Sequence, residues 1–133
     1  MVVIAEAEAS VDSGDSPPEN PWKADMVGVN TTFHVAAVLK GKVEGDKFRV
    51  FHYRLKPGVL TEDGPLLVSF RQHGININTR EAEVALGRPD YLLFLRKRKD
   101  GRYEPVSGQV DPVLSVREMY SPLPAELGPG QPE

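Results

Sequence analysis

The chain contains no cysteine. Disulfide stapling, thiolate zinc sites, iron–sulfur clusters and a cysteine nucleophile are therefore excluded. Its longest apolar runs, such as Tyr91 to Leu95, fall far short of the roughly 18 residues a membrane-spanning helix needs, so no span is expected. Neither GxGxxG nor a Walker A loop occurs, and no cofactor is expected. The absence of HxH, HExxH and GxSxG removes the common signatures of metal centres and serine hydrolases. Met1 leads directly into Val2, Val3 and Ile4 with neither a basic n-region nor an apolar h-region, so no leader is read in the chain as given.

What is present is 133 residues, 40% hydrophobic and 26% charged, with 12 glycines and 12 prolines. That length and balance fit one soluble domain able to bury most of the surface its unfolded chain exposes. The net charge is -3, but it is unevenly spread. Residues 1–30 carry one basic against six acidic side chains, residues 31–70 six against four, residues 71–102 eight against four, and residues 103–133 one against five. A basic middle sits between acidic ends.

Hydrophobic periodicity of two dominates. Val3, Ala5, Ala7, Ala9 and Val11 alternate with polar neighbours, which predicts a first strand over residues 1–11. Residues 12–27 then supply Ser, Asp, Gly and three Pro, the composition of a long loop, with Trp22 as its anchor. Strands are predicted at TTFHVAAVL (31–39) and KFRVFHYRL (47–55), joined by the turn-forming KGKVEGD. Within the third strand the apolar parity changes, Phe48 and Val50 sharing one face and Phe51, Tyr53 and Leu55 the other, so either both faces are covered or a bulge intervenes.

LLVSFR (66–71) reads as a further short strand, and Thr79 could cap a helix over 79–87 closed by Gly87. YLLFLRKRK (91–99), Asp100-Gly101 and Arg102 to Val106 predict a hairpin closed by a two-residue turn with positive φ at both central positions. Residues 113–119 suit either a helix opened by Pro112 or a strand. Residues 121–133, with four Pro and two Gly, read as an extended tail.

Many strands with at most one or two short helices predict an all-β, OB-like Greek-key barrel of five to six strands. It would form a single domain over residues 1–120, with an Ig-like β-sandwich as the alternative. The expected core is Phe33, Val35, Val38, Leu39, Phe48, Val50, Phe51, Leu67, Phe70, Leu92, Phe94 and Leu95.

Five cations, Arg96, Lys97, Arg98, Lys99 and Arg102, cluster at the hairpin tip and form the candidate ligand or partner surface. The plainer reading is a solvated tip whose charge discourages edge pairing. His34 and His52 would face each other if their loop centred near Val43, half of a metal site. No third ligand follows from spacing, so metal binding is not expected. Ser107 lacks a nucleophile elbow, and the acidic pairs Glu62-Asp63 and Glu81, Glu83 read as solvated charge, so no enzymatic activity is expected.

The segments VVIA, TTFHVAAVLKG (31–41), KFRVFHYRL and LGRPDYLLFLRKRKDGRYEPVSGQ (86–109) together resemble bacterial extracytoplasmic domains similar to the netrin-like module of tissue inhibitors of metalloproteinases. The resemblance covers roughly residues 1–109. It implies an OB-like five-stranded barrel and a periplasmic or secreted setting, the cytoplasm being the alternative. Metalloproteinase inhibition does not follow, because the animal inhibitors act through an amino-terminal cysteine that this chain lacks. The expectation is a noncatalytic binding or interaction module with a protein partner. The rival is an OB-type binder of nucleic acid or another polyanion through residues 96–102, which the net negative charge disfavours.

Overall fold

The computed structural model describes residues 1–59, 67–70 and 89–120. Its strands are β1 (Val2–Asp12), β2 (Met26–Lys40), β3 (Lys47–Leu55), β4 (Pro89–Lys97), β5 (Tyr103–Pro105) and β6 (Val116–Tyr120), with short 3-10 helices at Lys23–Asp25 and Pro112–Ser115. They form one sheet in the order β1-β2-β3-β5-β4, which closes on itself where β4 also pairs with β1. All of these pairs are antiparallel except β3 with β5, and β6 adds to β4 outside the ring. The strand order, the closure and the single parallel pair make an all-β, OB-like barrel. The segment 113–119 resolves into both of its readings in succession, a 3-10 turn and then β6. The helix expected over 79–87 and the tail 121–133 lie outside the described residues.

Small side chains on one wall make room for rings from the others. Val3, Ala5 and Ala7 on β1 are buried, and the interior they face is filled by aromatics. Phe33 stacks on Phe48 at 5.5 Å and meets Phe70 edge-on at 4.9 Å, while Phe70 meets Tyr91 edge-on at 5.0 Å. Edge-to-face contacts of this kind suit the ring quadrupoles and add to burial. Val68 and Phe70 belong to this core, but residues 67–70 are not in a strand, contrary to the expectation for 66–71. Phe70 plugs the barrel by its side chain and needs no ladder to do so.

The parity change in β3 has a single cause. The β2–β3 register runs without interruption from Met26 opposite Leu55 to His34 opposite Lys47, so no bulge is present. Both faces are covered instead. Phe48 and Val50 enter the main core, whereas Phe51 and Tyr53 form a second cluster with Met26, against which Trp22, Leu55 and Leu67 pack. Trp22 thus anchors the 13–25 loop on the outside of the barrel.

Four expected core residues are placed differently. In β4 the side chains that point inward are Tyr91, Leu93 and Leu95, and Leu92 and Phe94 are half-buried on the outer face. Val38 and Leu39 are 41% and 59% exposed. The reason is that β2 overshoots β3: Val35 N–H donates to the Asp46 carbonyl (2.8 Å), β3 begins at Lys47, and from Ala36 onward β2 keeps only β1 beside it.

The hairpin stands, with a different turn. Arg98 N–H donates to the Arg102 carbonyl (2.7 Å) and Gly101 N–H to the Arg98 carbonyl (3.1 Å), which encloses three residues. Within this turn only Gly101 has positive φ (91°), and among the described residues no non-glycine does. This is a type I turn followed by a left-handed glycine, the common three-residue hairpin loop. Asp100 favours it by accepting Arg102 N–H on its carboxylate (3.0 Å).

Candidate functional site

The hairpin brings Arg96, Lys97, Arg98, Lys99 and Arg102 to one end of the barrel, where three of them meet carboxylates. Arg96 bonds Glu104 (2.7 Å), and Arg98 bonds Glu104 (2.9 Å) and Asp100 (3.2 Å). Arg102 is 9% exposed and grips Asp15 (2.8 Å) and Asp100 (2.7 Å), while also donating to the Asn30 side-chain oxygen (2.9 Å). The guanidiniums of Arg98 and Arg102 lie 4.6 and 4.3 Å from the centre of the Phe51 ring. Cations held over an aromatic face gain from its quadrupole, more so where water is excluded.

Electrostatics follow from this geometry. Hydrogen bonds from Arg102 hold both Asp15 and Asp100 below the usual carboxylate range, and the same two carboxylates push Arg102 further up. All three remain charged across the physiological range. Burial raises the Tyr53 phenol, whose hydroxyl donates to the Ser16 carbonyl (3.1 Å).

Asp15 belongs to the loop between β1 and β2, and the loop is laid across the outer face of β2 and β3. Ser13 N–H donates to the Gly28 carbonyl (2.9 Å). A Cβ at Gly28 would stand 2.5 Å from Ser13 Oγ, 3.1 Å from the Phe51 ring and 3.3 Å from the Asp15 carbonyl, so the close approach of loop to strand favours glycine there. In OB folds this outer face is where single-stranded ligands lie. Here it is roofed by the chain itself. The rings that base stacking would need are Phe48, Phe51, Tyr53 and Tyr103, and all four are buried.

The two histidines do not meet. His34 stands opposite Lys47 and lies 3.6 Å from Asp46, whereas His52 stands opposite Val29 and points into the barrel. Among the described residues no group of three or more His, Asp or Glu is placed to hold a metal. His52 is 3% exposed, shares a hydrogen bond with Thr31 Oγ1 (2.6 Å) and meets Phe70 edge-on at 5.0 Å. Thr31 in turn bonds Ser10 Oγ (2.6 Å), so a short polar chain crosses the apolar interior. The His52 Nδ1 has no partner. Burial depresses its pKa to about 4, with the Tyr53 backbone opposing only in part.

A cleft lies between the hairpin and β3. The pairing of β3 with β5 rests on the single register Val50 opposite Tyr103, and beside that seam is a cleft of about 350 Å³. Lys47, Arg49 and Lys97 line it with Thr32 and Tyr103. Lys97 comes from the predicted cluster; Lys47 and Arg49 were not singled out from the sequence. No family model, no curated protein and no solved structure matches the chain.

Sequence reasoning also missed Asp15, Gly28 and the Ser10–Thr31–His52 chain. A signal for the first was present in the charge segregation. Among the described residues three ion pairs join the acidic first thirty residues to the basic middle: Glu8 to Lys47 (3.1 Å), Asp12 to Arg54 (3.0 Å) and Asp15 to Arg102 (2.8 Å).

Proposed function

We propose that this protein is a noncatalytic, extracytoplasmic binding module that docks a protein partner on the outer wall formed by β1, β4 and β5. One observation carries this reading. On that wall Val2 stands opposite Phe94 and Ile4 opposite Leu92, all four half-buried, and Val106 N–H donates to the Phe94 carbonyl (3.1 Å) with its side chain 50% exposed. An outward face of a closed barrel is ordinarily polar, and a contiguous apolar patch there marks an interaction surface. Its rim is charged, with the Arg96–Glu104 pair on one side and Arg117 opposite Leu92 on the other. An apolar centre ringed by polar groups and arginine is the anatomy of a protein interface. The extracytoplasmic setting is supported by the resemblance of the segments at 31–41 and 86–109 to netrin-like domains of bacterial envelopes.

The polyanion reading through residues 96–102 draws less support. Arg96, Arg98 and Arg102 are each engaged by carboxylates of the same chain, which a nucleic acid would have to displace.

The test is to purify a partner recovered from envelope extracts of the source cells and reconstitute the pair. Wild-type protein should bind it with little dependence on salt, since apolar contacts are not screened. Phe94→Glu should weaken binding at least tenfold while leaving the melting temperature nearly unchanged. Equal affinity of wild type and Phe94→Glu, or binding seen only at low salt, would refute the proposal.

A further inference from the structure

We infer that the cleft between β3 and the β4–β5 hairpin binds the phosphate or sulfate ester group of a small ligand. Three cations, Lys47, Arg49 and Lys97, converge on it against one carboxylate, Glu44, at its rim. Their availability distinguishes them from the rest of the basic cluster. Arg96, Arg98 and Arg102 are held by carboxylates, whereas Arg49 and Lys97 have no carboxylate partner among the described residues. Lys47 shares Glu8 at 3.1 Å with both side chains partly exposed, an ion pair weak enough for an ester oxyanion to compete with.

The shape of the cleft selects the ligand. Its floor is made of ring edges, Phe48 and Tyr103 meeting edge-on at 5.6 Å. Its wall is the β2–β3 loop, which the Tyr103 hydroxyl steadies by donating to the Lys42 carbonyl (3.4 Å). A volume of about 350 Å³ is at the small end of ligand pockets. It accommodates a sugar ester and not a chain of residues. A polymer would also need a continuing track, and the neighbouring outer face of β2 and β3 is roofed by the 13–16 segment through Ser13 on Gly28 and Asp15 on Arg102. The chemistry recognised is thus a terminal oxyanion on a compact, partly apolar body, with guanidinium and ammonium donors for the oxygens and the Thr32 hydroxyl beside them.

The experiment is an amide NMR titration of the full chain with glucose 6-phosphate, glucose 6-sulfate and an oligothymidine. With either sugar ester, saturable shifts should be confined to Thr32, residues 43–49 and residues 97–103. The double variant Arg49→Gln, Lys97→Gln should raise the Kd at least tenfold. Lys99→Gln removes a cation that does not line the cleft and should change it less than twofold. Both substitutions are at exposed side chains, so unchanged reference spectra establish that the fold is intact. Shifts still linear at roughly 10 mM, equal sensitivity to Lys99→Gln, or tighter binding of oligothymidine than of either ester would overturn the inference. Phe94→Glu should leave the titration unaltered, so the cleft and the protein-docking face stand or fall separately.

Discussion

Acid should destabilise this barrel well above the pH at which its carboxylates protonate, and His52 is the reason. In the unfolded chain His52 has the ordinary pKa of 6.5, and burial lowers it to about 4 in the fold. Between those values the unfolded state binds a proton that the folded state refuses, so stability rises with pH through the window and is lost as pH falls. It is fully present above about pH 6.5 and declines until the folded pKa is reached, below which His52 adds no further change. At about 1.4 kcal/mol per pH unit, the span from 6.5 to about 4 amounts to about 3 to 4 kcal/mol. The side chain is 3% exposed, so solvent screening discounts little of this. The hydrogen bond to Thr31 Oγ1 does not offset it, because a neutral imidazole makes that bond as well, and among the described residues no carboxylate accepts from the unpartnered Nδ1. Asp15 and Asp100 also lose their stabilising ion pairs in acid, but only below the ordinary carboxylate value of 3.8, outside this window. Urea melts at several pH values between about 7 and 4.5 should therefore show a decline for wild type that His52→Gln lacks. Side-chain NMR gives a second readout that needs no variant: the His52 ring signals should not titrate until close to pH 4. A normal titration near 6.5, or a pH dependence that differs between the two proteins by less than about 1 kcal/mol, would refute the argument.

Three further outcomes follow from packing. Gly28→Ala places a Cβ 2.5 Å from Ser13 Oγ and 3.1 Å from the Phe51 ring, so it should cost about 1 to 3 kcal/mol in denaturant melts; a loss under about 0.5 would show that the loop moves aside freely. Arg102→Gln strips Asp15 and Asp100 of two side-chain hydrogen bonds each and Asn30 of one, and should cost about 2 kcal/mol. Arg96→Gln, at an exposed pair, should cost less than about 1, and equal effects in the two variants would contradict the assignment of Arg102 as the tie between loop and hairpin. Leu93→Ala, at a fully buried inward position, should cost about 2 to 5 kcal/mol, well above Phe94→Ala on the outer face; the reverse order by thermal or chemical denaturation would mean that the parity of β4 is wrong.

Some of the fold is legible in the chain because burial there is one-sided. The alternation in β1 puts Val3, Ala5, Ala7, Ala9 and Val11 on one face; the structure buries the first three, and beyond the register shift between Ala7 and Ala9 it leaves Ala9 and Val11 exposed. The limits of β3 and the position of the Asp100-Gly101 hairpin follow from composition in the same way. Where both faces of a strand are covered, alternation disappears and parity with it. Tyr91 to Leu95 is apolar at every position, so only the register with β1 and β6 decides that Leu93 points inward and Phe94 outward. Phe51 and Tyr53 are hidden for a related reason, since the cover on their face comes from a loop with no periodicity of its own.

By itself, then, the sequence determined what depends on neighbours along the chain: strands from period-two patterning, turns from glycine, aspartate and proline, the absence of thiol chemistry, and a basic cluster at one tip. Only the tertiary structure decided what depends on partners distant in sequence. Asp15 reaches Arg102 across 87 residues, and Ser10, Thr31 and His52 line up from three strands, each hydrogen bond spanning 21 residues. Whether a cation is free or neutralised, a histidine ionisable or held neutral, and a ring a platform or a core residue is set by distance and by exclusion of water. Both quantities come into being when the barrel closes.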